Sequence, residues 1–123
     1  MVSIGTYVNI ADNSGALIGQ CIYVTKHKKK NGASIGDTIL VTIKNCKARS
    51  KSVKKGSIIK GVVVRTKKSF SRKNGTYLKF DQNDIVLLDS KSMPLGTRVF
   101  GVVPQELRNR GYSSIVALSS GVI

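Results

Sequence analysis

The alternation of apolar and polar residues along this chain predicts strands almost throughout. Thr6-Tyr7-Val8-Asn9-Ile10 alternates, and Asp12-Asn13-Ser14-Gly15 then marks a turn whose Asp and Asn side chains can accept hydrogen bonds from nearby backbone amides. Leu17 to Thr25 predicts a second strand with Ile18, Ile22 and Val24 on one parity. Gly36-Asp37 turns the chain into a third, Thr38 to Cys46, where Ile39, Val41 and Ile43 alternate with more polar neighbours. Ile58 to Val64 is a β-branched run, too short for an ordinary helix and suited to a barrel wall.

Asn74-Gly75 is a strong hairpin signal, because a type I′ turn needs positive φ at both central residues. A turn centred there pairs Lys73 with Thr76, Arg72 with Tyr77, Ser71 with Leu78 and Phe70 with Lys79. It also places Phe70, Arg72, Tyr77 and Lys79 on one face, a mixture of aromatics and cations. Ile85 to Leu88 and Val99 to Val103 predict further strands. Pro104 suits the first position of a short helix through Gln105-Glu106-Leu107-Arg108, with Gly111 as its stop, and Ile115 to Leu118 fits either a last strand or a turn of helix. Short strands at close spacing, one small helix and no internal repeat make this a mainly β chain, a closed barrel or sandwich forming a single domain over residues 1–123.

Charge changes the picture from fold to partner. The 123 residues hold 21 Lys and Arg against 6 Asp and Glu, a formal charge of +15. Seventeen of the basic residues fall between Lys26 and Lys79, with Asp37 the one acid among them, so this segment carries +16 and the flanks together −1. Such an excess calls for a polyanion, and its confinement to the middle argues against charge spread for solubility alone. Three clusters are candidates for phosphate contact: Lys26, Lys28, Lys29 and Lys30; then Lys47, Arg49, Lys51, Lys54 and Lys55; then Arg65, Lys67, Lys68, Arg72, Lys73 and Lys79 on and around the hairpin. One lysine run is most often a solvated face; three in succession with one intervening acid are harder to dismiss and favour nucleic-acid binding. Phe70 and Tyr77 would stack on exposed bases or pack across the strands, the two being equally supported.

Catalytic chemistry is poorly supplied. His27, the sole histidine, sits among lysines that lower its basicity and suits a loop contact better than a general base. Two cysteines and one histidine do not make a structural zinc site, and no phosphate-binding glycine loop is present. Asp81, Asp84 and Asp89 fit turn caps and strand ends. Cys21 and Cys46 are expected as buried, reduced thiols. No cofactor or metal is expected, and no apolar run approaches the roughly 18 residues a membrane helix needs. An RNA-processing enzyme is therefore disfavoured. A free single-strand RNA chaperone remains the main alternative, although 6% aromatics without tryptophan supply a poor stacking platform.

Four stretches, spread over nearly the whole chain, resemble the universal large-subunit ribosomal protein fourteen family in its bacterial and organellar form. They are Val8-Asn9-Ile10-Ala11-Asp12-Asn13-Ser14-Gly15-Ala16; Val53-Lys54-Lys55-Gly56; Val62-Val63-Val64-Arg65-Thr66-Lys67-Lys68, continuing through Asn74-Gly75 to Phe80-Asp81; and Pro94-Leu95-Gly96-Thr97-Arg98-Val99-Phe100-Gly101-Val102-Val103, followed by Glu106-Leu107-Arg108. The resemblance implies a small closed five-stranded β-barrel with a protruding β-hairpin and a short C-terminal helical part. It implies a place on the interface side of the large subunit, touching large-subunit rRNA and a neighbouring ribosomal protein and helping to bridge to small-subunit rRNA. It further implies a protein-docking surface at Gly96, Thr97 and Arg98 for a ribosome-silencing factor.

Two departures stand out. Leu17-Ile18-Gly19-Gln20 occupies positions where the family often carries basic residues, and the hairpin tip Arg72-Lys73-Asn74-Gly75 replaces a common Arg-Pro-Asp-Gly. This divergence, with the family's usual N-terminus and no presequence, favours a mitochondrially encoded protein of the matrix; a bacterial cytoplasmic or plastid origin is the alternative.

Overall fold

A computed structural model describes residues 2–25, 32–47 and 53–123. Five strands close into a barrel: β1 (Tyr7–Ile10), β2 (Ala16–Val24), β3 (Thr38–Cys46), β4 (Ile58–Arg65) and β7 (Asp84–Leu87), in that order around the wall. Neighbours are antiparallel except at the seam, where β1 runs parallel to β7 with Asn9 opposite Asp84 and Ile10 opposite Ile85. Between β4 and β7 the chain makes a small hairpin, β5 (Phe70–Ser71) and β6 (Tyr77–Leu78). After the barrel come β8 (Val99–Val103), α1 (Glu106–Asn109), α2 (Ser113–Leu118) and β9 (Ser119–Val122), with β8 and β9 parallel. The fold is the mainly β barrel, hairpin and short helical tail that the sequence predicts.

Two apolar clusters hold it together. Val8, Ile10, Cys21, Ile39, Val41, Ile43, Val63, Ile85 and Leu87 fill the barrel. Val62, Val64, Val86 and Leu88 point outward from β4 and β7 and meet Val99, Val103, Leu107, Ile115 and Val116 of the C-terminal part. These two strands are thus covered on both faces, which is why Gly61 to Val64 and Ile85 to Leu88 are unbroken apolar runs where a half-exposed strand would alternate. Each such aliphatic side chain contributes about 1.5–3 kcal/mol when fully buried.

The structure departs from the simple alternation at several points. In β2 the pairing with β3 slips between Ala16 and Gly19 and again between Cys21 and Tyr23. An extra residue at a bulge reverses the facing of everything after it. Ala16, Gly19, Cys21 and Val24 therefore face inward, whereas Ile18 is half-buried and Ile22 exposed, so Ile18, Ile22 and Val24 do not share a side. Cys21 is buried as expected; Cys46 is only half-buried, because it lies at the open end of β3.

Pro104 precedes rather than begins α1: its carbonyl accepts the Leu107 amide, and Gln105 is the N-cap. The stop at Gly111 is borne out. Gly111 has φ +89°, its amide donates to the Arg108 carbonyl at 3.2 Å, and the Tyr112 amide donates to the Leu107 carbonyl at 2.9 Å. This crossed pair of bonds is the left-handed helix ending that glycine favours. Ile115 to Leu118 proves to be helix, with β9 following it.

Candidate nucleic-acid interface

The hairpin grows from a hydrogen-bonded base beyond the end of β4. Thr66 Oγ1 donates to the Lys68 carbonyl (2.8 Å), the Lys67 amide to Asn83 Oδ1 (2.9 Å), and the Phe80 amide to the Thr66 carbonyl (2.9 Å). Its register is one residue away from the predicted one: Phe70 opposes Leu78 and Ser71 opposes Tyr77. The cause is the loop. Lys73-Asn74-Gly75 is a three-residue connection in which the Gly75 amide donates to the Arg72 carbonyl (3.1 Å) and the Arg72 amide to the Thr76 carbonyl (2.8 Å). Gly75 alone in the loop takes positive φ, at +87°, and Asn74 Oδ1 accepts from the Thr76 amide (3.1 Å) and hydroxyl (2.6 Å). A three-residue loop ending in a left-handed glycine displaces the two-residue turn.

A slip of one residue exchanges faces. Phe70 and Arg72 lie on one side and Tyr77 on the other, so the expected face of Phe70, Arg72, Tyr77 and Lys79 does not form. Nor do the two rings pack across the strands. Phe70 joins the outer apolar cluster beneath the hairpin, whereas Tyr77 is 73% exposed.

The candidate cations divide sharply by environment. Arg65 Nε lies 2.6 Å from Asp84 Oδ2, its Nη1 donates to the Val102 carbonyl at 2.9 Å, and both side chains are almost fully covered. Gly101 makes room for this guanidinium, since a Cβ there would come within 2.5 Å of Nη1. Arg72 Nη2 donates to Glu106 Oε1 (3.1 Å) and to the Ile123 carbonyl (2.7 Å), while its Nε lies 3.0 Å from Oε2 without the alignment of a hydrogen bond. Both arginines therefore tie the barrel and hairpin to the C-terminal part. Lys47, Lys54, Lys55, Lys67, Lys68, Lys73 and Lys79 are exposed, and among the described residues none of them is in an ion pair.

These seven lysines form two groups. Thr38 pairs with Val62 and Thr42 with Ile58, so β3 ends where β4 begins. Lys47, Lys54 and Lys55 thus sit at one end of the barrel and the hairpin lysines at the other, separated by the length of β4, about 26 Å at 3.3 Å per residue. Lys26, Lys28, Lys29, Lys30, Arg49 and Lys51, with His27, lie outside the described residues. Asp89 caps a turn, its Oδ1 accepting the Lys91 and Met93 amides at 2.8 and 3.0 Å, and Asp84 stands at a strand end as the partner of Arg65. Among the described residues no three His, Cys, Asp or Glu side chains group as metal ligands, and no helix is long and apolar enough to cross a membrane.

The Gly96–Arg98 segment is organised by the turn after β1. Asn13 Oδ1 accepts the amides of Thr97 (2.8 Å) and Arg98 (3.1 Å), and its Nδ2 donates to Thr97 Oγ1 (2.9 Å). Gly96 passes so close that a Cβ would fall 2.5 Å from that Oδ1. Asp12 behaves as the turn predicts towards Ser14, whose amide and hydroxyl donate to Oδ1 at 3.2 and 2.6 Å. Its Oδ2 also accepts the Leu87 amide (3.0 Å), 75 residues on. Sequence reasoning missed these distant partners; the available signal was a buried-looking acid in a chain with few acids. The side chains of Thr97 and Arg98 remain exposed on this fixed backbone.

Comparison with known families bears on this architecture. The family model described as Ribosomal protein L14p/L23e matches residues 1–123, the entire sequence. The chain belongs to the ribosomal protein L14p/L23e family and is a structural constituent of the large ribosomal subunit rather than an enzyme.

Proposed function

We propose that this protein binds large-subunit rRNA with two lysine groups at opposite ends of the barrel, so that it spans two RNA segments rather than lying on one. The observation that carries the reading is the division of the cations: Arg65 and Arg72 are engaged internally, while Lys47, Lys54, Lys55, Lys67, Lys68, Lys73 and Lys79 are exposed and in no ion pair among the described residues. Lysines in that state displace counterions from phosphate without breaking any internal bond. Lys26, Lys28, Lys29, Lys30, Arg49 and Lys51 are proposed to extend these groups, on sequence grounds.

The near-neutral Gly96, Thr97 and Arg98 segment is proposed as a protein-docking surface for a ribosome-silencing factor. Its support is a backbone clamped by Asn13 with side chains left outside. Contact with a neighbouring ribosomal protein, a share in a bridge to small-subunit rRNA, and residence in the mitochondrial matrix rest on the family resemblance and on the sequence's divergence from bacterial forms.

The test is reconstitution of large subunits with Lys67, Lys68, Lys73 and Lys79 changed to Glu. Incorporation is expected to fall and its dependence on salt to become shallower, because fewer phosphate contacts remain, with the isolated chain still folded; unchanged incorporation refutes the hairpin's role. In the same assay, Thr97→Ala with Arg98→Glu is expected to spare incorporation and abolish capture of the silencing factor, and normal capture removes the docking assignment.

A further inference from the structure

Between the β5–β6 hairpin and α1 lies a groove of about 730 Å³ whose chemistry the lysine groups do not account for. The volume is within the range of small-molecule sites. Ile35 and Phe70 give it an apolar floor, and Tyr77, on the other face of the hairpin, borders it. Glu106 and Arg110, which line it, are each neutralised by a partner, Arg72 and Asp37 respectively. Lys68 and Lys73 also line it, and neither is in an ion pair among the described residues. Ser69, Ser71 and Asn109 line it as well, and among the described residues their side chains make no hydrogen bond. An apolar floor, a bare aromatic ring, unused donors and acceptors and two free cations are what an unstacked base with its phosphate requires. A protein segment would match the apolar floor but leave the lysine pair without counter-charge.

We propose that this groove seats one unpaired nucleotide of ribosomal RNA, its base against Tyr77, its polar edge towards the serine hydroxyls and Asn109, and its phosphate on Lys68 and Lys73. This rests on the RNA-binding reading above and adds to it a preference for a flipped-out nucleotide over continuous duplex. The one-residue shift of the hairpin makes the preference possible, since Tyr77 opposes a serine and its ring has no cross-strand aromatic partner.

The experiment measures binding of the full chain to two labelled RNA stems, identical except for a single-nucleotide bulge, by fluorescence anisotropy over a salt series. The bulged stem is expected to bind about tenfold tighter, the scale of one base stacked on one aromatic ring. Tyr77→Ala, and Ser69→Trp to fill the groove, are expected to remove that preference while leaving affinity for the continuous stem and the urea unfolding midpoint unchanged. Equal binding of both stems by the parent protein, or a preference that survives both variants, overturns the groove assignment and leaves the lysine-based reading standing. Failure to bind either stem overturns both. In reconstituted large subunits, a photoreactive benzoylphenylalanine at Ser69 is expected to crosslink to RNA; crosslinking to protein alone would assign the groove to a neighbouring ribosomal protein and overturn the proposal.

Discussion

Arg65 is the residue at which charge and architecture make opposite predictions. A surface arginine next to two lysines would contact phosphate, and its loss would weaken RNA binding while leaving the fold alone. The structure instead gives Arg65→Ala a large cost in stability. It removes the 2.6 Å contact with Asp84 and the 2.9 Å bond to the Val102 carbonyl, each of a kind worth about 1.5–3 kcal/mol when one partner is charged. It also strands Asp84, whose side chain is 4% exposed and whose Oδ1 has no hydrogen-bond partner among the described residues. Leaving one member of a buried pair uncompensated costs about 3–5 kcal/mol, and we take that as the expected loss. With a urea dependence of about 1.5 kcal/mol per molar, the unfolding midpoint should fall by ~2–3 M. Circular dichroism during urea titration of the isolated chain measures this directly. The double change Arg65→Met with Asp84→Leu removes the stranded charge and should recover most of the loss, to within about 1–2 kcal/mol of the parent. At a temperature where Arg65→Ala is still folded, the dependence of RNA affinity on salt should keep its slope, whereas loss of one phosphate contact would lower it by about one. A single variant less than about 1 kcal/mol destabilised, or a double variant as damaged as the single, would refute the reasoning.

Two further outcomes follow from close contacts elsewhere. Gly96→Ala drives a Cβ to 2.5 Å from Asn13 Oδ1 and should cost ~1–3 kcal/mol, with hydrogen exchange accelerating at the Thr97 and Arg98 amides; unchanged protection there would show that Asn13 does not hold the segment. Burial pushes the Cys21 thiol up, which lowers its thiolate fraction at any given pH, and the side chain is also covered, so iodoacetamide at neutral pH should label half-buried Cys46 well before Cys21; equal rates would contradict the placement of Cys21 inside the barrel.

Much of the barrel was legible because its physics is local. Alternating residues in β1 and β3, the β-branched run of β4 and the glycine after α1 each state a conformational preference within a few residues. What escaped depends on distance or on a count of one. The bulges in β2 are set by pairing with β3, so Ile22 looks like a core residue until the partner strand is placed. The hairpin turned on whether two residues or three form the loop. Asn74-Gly75 is compatible with both, and positive φ at Gly75 alone selects three. The candidate site was legible as a region and not as a list. Composition marked the basic middle of the chain, but only the placement of Asp84 and Glu106 separated Arg65 and Arg72, which hold the protein together, from the lysines left free.

The seam of the barrel has a consequence for how the protein is made. β1 can pair with β7, and Asp12 can accept the Leu87 amide, only after some 75 further residues have been synthesised. At about 5–20 residues per second, the first strand therefore waits ~4–15 s with one edge open. During that interval the nascent chain already carries its basic middle segment but no closed wall behind it. An RNA able to engage those lysines early would hold the open sheet away from other nascent chains, so assembly and folding of this protein would be one process rather than two.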